Sequence, residues 1–415
     1  MAAAPRETVS LRVQAGVYGS AMISFSMVWV AGVTVALWLL EMKTPAYLIG
    51  IVIGSRHALT LVLSIHGGAL MDRLGTRRVM VCFGIIAVIA PLMFPLSPWI
   101  PGLIVLQMVA GLADSMGWIG AQALAGSVMK ANPVYIGRMS FAARVGGFAG
   151  PWMIGLVWDH LGIWPSFIAM SLWSAIGLIS ALLLPAAETD VVRRPGARVR
   201  VRDLMPRLTD YVAAGRLVVL PAIGLVLFAT TARIGGTGIQ SSFYVVYLKS
   251  IGIDGSAIGA LIGVANFCAS VGSFAIAPLV RRVHPHWLVV IIVTMTVFAI
   301  AVTPFLSGIY ALLLVAIGLR GLCLGISQPL EIAITSRALG TDMQGTGVGL
   351  RTTANRLAST VVPMIMGGIA DLVGIENSFL AMGAILLAVM AAAVWYVRRN
   401  PALGRDGPDD PGVAR

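Results

Sequence analysis

Six arginines stand inside stretches of the chain that are otherwise apolar: Arg56, Arg144, Arg233, Arg320, Arg351 and Arg356. Two acids, Asp114 and Glu331, and one imidazole, His57, are set in the same kind of surroundings. A guanidinium is a planar fork of N–H donors that matches carboxylate and phosphate groups, so a surplus of arginine over acid is the chemistry of anion recognition. A carboxyl group moved between dry and wet surroundings takes up and releases a proton, because desolvation favours its neutral form and a nearby arginine its charged form. Asp114, Glu331 and His57 are therefore candidates for carrying protons, and the arginines for binding an anionic or amphiphilic solute. In the plainer alternative the two acids only neutralise arginines and hold helices together, and that still leaves cations in excess.

Spacing shows which neighbours share a face. Gln107, Gly111, Asp114, Trp118 and Gln122 step by three or four residues, as do Thr230, Arg233, Thr237, Gln240, Tyr244 and Tyr247, and then Arg320, Cys323, Ser327 and Glu331. Polar stripes of this kind on apolar helices face a cavity or a partner, not lipid. Trp118 and Tyr244 suit stacking on a ring, although packing is the commoner use of such aromatics. In the segment GLRTTANRLASTVVP, Arg351 lies near the polar end, where a long side chain can snorkel. Asn355 and Arg356 lie deeper and are expected on a solute pathway, Arg351 at a gate. The sequence has no nucleotide loop, no metal-ligand spacing and no nucleophile with a partner. It gives no reason to expect an enzyme, a cofactor or a metal.

These side chains must be positioned by membrane-spanning helices. The chain has 415 residues, of which 58% are hydrophobic and 11% charged, with a mean hydropathy of +0.91. A water-soluble protein could not bury so large an apolar fraction. Apolar segments lie at about 13–40, 46–71, 79–97, 101–128, 138–159, 164–185, 216–247, 255–280, 287–305, 309–336, 346–370 and 377–397, each long enough to cross a bilayer as a helix. The expectation is an all-α polytopic membrane protein with twelve transmembrane helices. The first segment lacks a small-residue cleavage site and reads as a retained span. The three cysteines, Cys82, Cys268 and Cys323, sit in apolar runs as small core residues.

The net charge of +12 is a signal of topology. Apart from the six arginines in the spans, the basic residues fall in alternate connections and in the tails, and only Lys43 and Lys249 lie on the other side. The positive-inside rule then places both termini in the cytosol of a multi-pass protein of the cytoplasmic (inner) membrane. Nucleic acid is not needed to explain the basicity. The one long polar connection divides the chain into a cytosolic N-terminus (1–12), a six-helix bundle (13–187), a basic cytosolic linker (188–215), a second six-helix bundle (216–398) and a cytosolic tail (399–415). The linker's last part, about 202–216, reads either as a short helix on the membrane surface or as plain basic chain.

The two bundles look like copies. At one offset of 212 residues, Arg144 pairs with Arg356, Pro151 with Pro363, Gly155 with Gly367, Asp159 with Asp371 and Gly162 with Gly374. Two related six-helix halves with charged groups near the bilayer midplane are the architecture of a secondary transporter.

The end of the second span reads GALMDRLGTRR, from Gly68 to Arg78. Here the chain resembles the major facilitator superfamily, whose pattern is met by Gly68, Asp72, Arg73, Gly75, Arg77 and Arg78. The resemblance implies two pseudo-symmetric six-helix bundles that alternate access to a central site. It also implies a gate in which Asp72 meets the N-terminus of the eleventh helix, near Gly345. The run RVGGFAGPWMIG, with Gly146, Gly150, Pro151 and Gly155, is similar to the glycine–proline signature of the drug and metabolite:proton antiporter branch, which implies proton-coupled export. Where the family often has an arginine, four residues before Gly111, this chain has Gln107, so that residue's coupling role does not carry over. The partners expected are a small-molecule substrate, protons and the lipid bilayer, with the protein a monomer. Uptake of an organic anion by symport or uniport is the alternative direction, and a receptor or scaffold that binds without transport is a third reading.

Overall fold

The computed structural model describes residues 9–129, 133–185, 220–339, 344–400 and 403, and all regular structure among them is helical. The first half of the chain holds α1 (Leu11–Glu41), α2 (Ala46–Ser55), α3 (Ala58–Leu74), α4 (Thr76–Met93), α5 (Ile100–Ser127), α6 (Pro133–Leu161) and α7 (Ile163–Leu183). The second half holds α8 (Pro221–Gln240), α9 (Phe243–Ser250), α10 (Gly255–Gly272), α11 (Ile276–Val280), α12 (Pro285–Ala301), α13 (Thr303–Leu306), α14 (Tyr310–Leu339), α15 (Gln344–Val373) and α16 (Ile375–Arg399). The expected linker at 188–215, with its surface helix, lies outside the described residues, as do most of the two tails.

Among the described residues, ten segments are long and apolar enough to cross a membrane. Of the remaining two expected spans, α12 has 17 residues, and α6 has 29 but carries Arg138, Arg144 and Asp159. Twelve spans are consistent with this arrangement. Large apolar side chains such as Val105, Phe141, Phe274 and Val315 project outward, a surface that suits lipid and not water.

Three spans are broken where the sequence suggested continuous rods. The second divides into α2 and α3 at Arg56 and His57, the seventh into α8 and α9 at Ser241 and Ser242, and the eighth into α10 and α11. At the first break, the Arg56 carbonyl approaches α5 so closely that a Cβ on Gly111 would lie 1.9 Å from it. Only glycine fits there.

Packing between the halves is concentrated where α6 meets α10 and where α2 meets α15. Both contacts lie toward the end of the bundle opposite the termini. A Cβ on Gly155 would fall 2.2 Å from the Gly255 carbonyl oxygen, one on Gly259 2.1 Å from that of Pro151, and one on Gly50 2.3 Å from that of Pro363. Backbone meets backbone across the two halves, so this far end is closed. The chain repeat is visible in the turns as well: Gly162 and Gly374 have φ of +82° and +85°.

In the stretch from Gly68 to Arg78, α3 ends at Leu74, Gly75 turns the chain at φ +90°, and α4 begins at Thr76. Arg77 Nη2 donates to the Leu182 carbonyl at 3.3 Å, which ties the turn to its own half, and Arg78 is exposed. The side chains of Gly68, Asp72 and Arg73, and those around Gly345, lie outside the described residues.

Candidate functional site

A cavity of about 570 Å³ lies between the halves, on the termini side of the closed end. Its walls come from both halves, and the break in the second span supplies its first polar group. Arg56, the residue that ends α2 with its backbone still in the helical region, turns its guanidinium toward α5. There Nη2 pairs with the Asp114 carboxylate and lies 3.5 Å from the Met27 carbonyl, and Nη1 donates to Gln107 Oε1 at 2.9 Å. Gln107, Gly111, Asp114, Trp118 and Gln122 all line the cavity, as one helical stripe should. Trp118 leans on Phe25 of α1, with ring centroids 5.6 Å apart.

The second half builds its own ion pair. Arg233 on α8 grips Glu331 on α14 with two parallel bonds, Nε to Oε1 at 2.8 Å and Nη2 to Oε2 at 2.9 Å, and Thr230 Oγ1 adds a third bond at 3.0 Å. Arg233 faces the cavity, whereas Glu331 is wholly buried behind it. Each half therefore neutralises one of its arginines with one of its acids.

What remains is positive. Arg144 on α6 and Arg351 and Arg356 on α15 are half-buried on the cavity wall. Among the described residues, none of the three has a carboxylate partner. Arg356 Nη1 reaches His57 Nδ1 across the halves at 3.2 Å. An arginine can only donate, so His57 accepts through a neutral ring. Asn355, whose Oδ1 is buried without a partner, and Gln240 also line the wall.

Several expected positions fall elsewhere. Arg320 is wholly buried and off the wall: Nη1 donates to Gln240 Oε1, while Nε and Nη2 have no partner. Tyr244 is also off the wall, 1% exposed, because the break at Ser241 and Ser242 carries it into the core. Arg351, expected apart from Arg356 at a gate, shares the cavity wall with it. Gly150 packs on Val30, and Pro151 touches Gly259 at the closed end.

Beyond the positions expected from sequence, α1 (Ser24, Phe25, Val28, Trp29 and Gly32) and Asn266 on α10 also line the cavity. Ser24, Val28 and Gly32 recur every four residues, and Asn266 is an amide within an apolar run, so both signals were present.

The sequence profile described as Major Facilitator Superfamily matches residues 17–234 and 226–413. No curated protein sequence matches the chain. Among solved structures, a variant of the nucleoside transporter NupG superposes with a TM-score of 0.76 at 11% identity, covering 93% of this chain and 100% of that one. A second structure of NupG gives 0.70 at 13% identity, covering 94% and 99%. At such identity the likeness is one of fold alone. With two matched halves, a closed far end and a central polar cavity, the chain belongs to the major facilitator superfamily and is a membrane transporter, not an enzyme.

Proposed function

We propose that the protein moves a small organic anion across the cytoplasmic membrane by alternating access, with the substrate held in the cavity between the halves. The observation that carries this reading is the set of three guanidiniums, Arg144, Arg351 and Arg356, that face the cavity and, among the described residues, have no carboxylate within ion-pair distance. Three cations inside a low-dielectric wall are unfavourable unless a mobile anion or water compensates them, and an organic anion is what guanidinium forks bind best. A cavity of about 570 Å³ suits a metabolite-sized solute. Trp118 and Phe25 offer an apolar face for the rest of the molecule.

Proton coupling follows from the same geometry. Asp114 touches both Arg56 and the cavity, so its charge state is set by whether the cavity is wet, dry or occupied. His57 adds a second proton-sensitive group: protonating it removes the acceptor that Arg356 uses and places two cations together. Glu331, held by three hydrogen bonds and wholly buried, is the less accessible of the two acids in this conformation.

With the termini in the cytosol, as the basic connections suggest, the structure corresponds to an inward-facing state closed on the outside. The gate at Asp72 then belongs to the opposite, outward-facing state. The glycine–proline run in α6 supports export in exchange for protons. Uptake reverses the proton flux, so a pH indicator inside substrate-diluted vesicles tells the two apart. The reading as a whole is tested by thermal stabilisation of the purified protein with matched anionic and neutral metabolites. Anions are expected to stabilise the wild type, and Arg144→Gln and Arg356→Gln to abolish the effect.

A further inference from the structure

Two helices at the closed end begin without a cap of their own. The N-cap positions of α2 and α10 are Pro45 and Asp254, and neither gives a side-chain hydrogen bond to its helix. Proline has no group to offer. Asp254 has one and does not use it. In both helices the N–H that opens the first turn is satisfied from the other half of the protein. Asp159, at the end of α6, accepts from Gly255 N at 2.8 Å through Oδ1 and from Ser256 N at 2.7 Å through Oδ2. Asp371, at the end of α15, accepts from Ala46 N at 3.0 Å through Oδ1.

These two aspartates are partners in the 212-residue repeat, and so are the glycines beneath them, Gly155 against Gly255 and Gly367 against Ala46. We propose that Asp159 and Asp371 are a matched pair of latches that hold the end of the protein opposite the termini closed, each capping a helix of the other half. A carboxylate at a helix N-terminus meets free N–H donors and the positive end of the helix dipole. All three bonds cross the interface that must separate when this end opens, so opening uncaps both helices together. The glycines set how closely the halves approach, and the aspartates fix the register in which they meet. Neither latch touches the cavity, so the device works whatever the substrate is.

The test is a distance measurement on the full-length protein, with Cys82, Cys268 and Cys323 replaced by alanine. Spin labels go at Leu161→Cys and Leu372→Cys, exposed positions of opposite halves beside the latches. Pulsed electron resonance then reports the separation at this end. Both aspartates are exposed, and an exposed cap lost to water shifts the open-to-closed ratio by about fivefold. Asp159→Ala and Asp371→Ala are each expected to raise the population at longer distance by about that factor, and the double variant by about 25-fold. An unchanged distribution in the double variant overturns the proposal. If the alanine pair does not fold, Asp159→Asn with Asp371→Asn is read the same way. Its weaker acceptors lengthen the distance if the latches are real and leave it unchanged if they are not.

Discussion

Removing Asp114 tests the polar core of the first half. In Asp114→Ala, Arg56 stays 3% exposed with only Gln107 Oε1 and the Met27 carbonyl left to receive its N–H groups. Stripping one partner from a buried ion pair costs about 3–5 kcal/mol. The lower end, ~3 kcal/mol, applies here because Asp114 borders the cavity and water can partly replace it. Arg56→Met leaves a carboxylate that can take up a proton, so its cost is smaller, about 1–3 kcal/mol. The double variant carries no orphaned charge and is expected to be more stable than the sum of the singles by ~2 kcal/mol. The assay is the folded fraction of purified protein along a denaturant series, for wild type, both singles and the double. Strictly additive singles would refute the claim that Arg56 and Asp114 hold each other in a desolvated site. In vesicles, Asp114→Asn is expected to lose proton-driven accumulation while retaining substrate exchange, and undiminished accumulation would remove it from the coupling mechanism.

Arg356→Gln removes a cavity cation and the bond to His57, and should weaken an anionic substrate by about 30-fold, or ~2 kcal/mol, with little effect on a neutral analogue; titration calorimetry with the pair reads this directly. Arg320→Met replaces a wholly buried guanidinium, two of whose nitrogens lack partners, with an apolar side chain of similar length. It should raise the thermal midpoint, because an uncompensated buried charge destabilises the fold; a lowered midpoint would mean that Arg320 is paired. Gly259→Leu puts a Cβ within 2.1 Å of the Pro151 carbonyl oxygen. The halves cannot then close at this end, and the labels at Leu161→Cys and Leu372→Cys should move apart even with both aspartates intact.

The helical class and the two-half organisation were legible because they follow from features that survive without tertiary knowledge. Hydrophobic length marks a span, and a fixed offset linking Arg144, Pro151 and Asp159 to Arg356, Pro363 and Asp371 marks a repeat. The stripe from Gln107 to Gln122 was legible because α5 is an unbroken helix, so a spacing of three and four residues does mean one face. Tyr244 departs from this rule. Its stripe runs through Ser241 and Ser242, where the helix stops, and every residue beyond that point is rotated away from the cavity. No local propensity in IQSSFY announced the break. Depth along a span likewise could not tell Arg351 from a snorkelling residue. Whether such a side chain turns outward or onto the wall depends on how far apart α15 and its neighbours stand. Asp159 and Asp371 were visible as a repeat pair but not as caps, because the N–H groups they satisfy belong to the opposite half.

The central claim is that the cavity selects an anion, and transport by the purified protein in liposomes tests it most directly. The assay is counterflow of radiolabelled solutes matched in size and differing in charge, an organic anion, a neutral nucleoside and an organic cation, with wild type and with the Arg144→Gln, Arg356→Gln double variant. The anion alone is expected to exchange through the wild type, and the double variant to abolish its flux. Exchange of the neutral or cationic solute by the wild type, undiminished in the double variant, would contradict the claim.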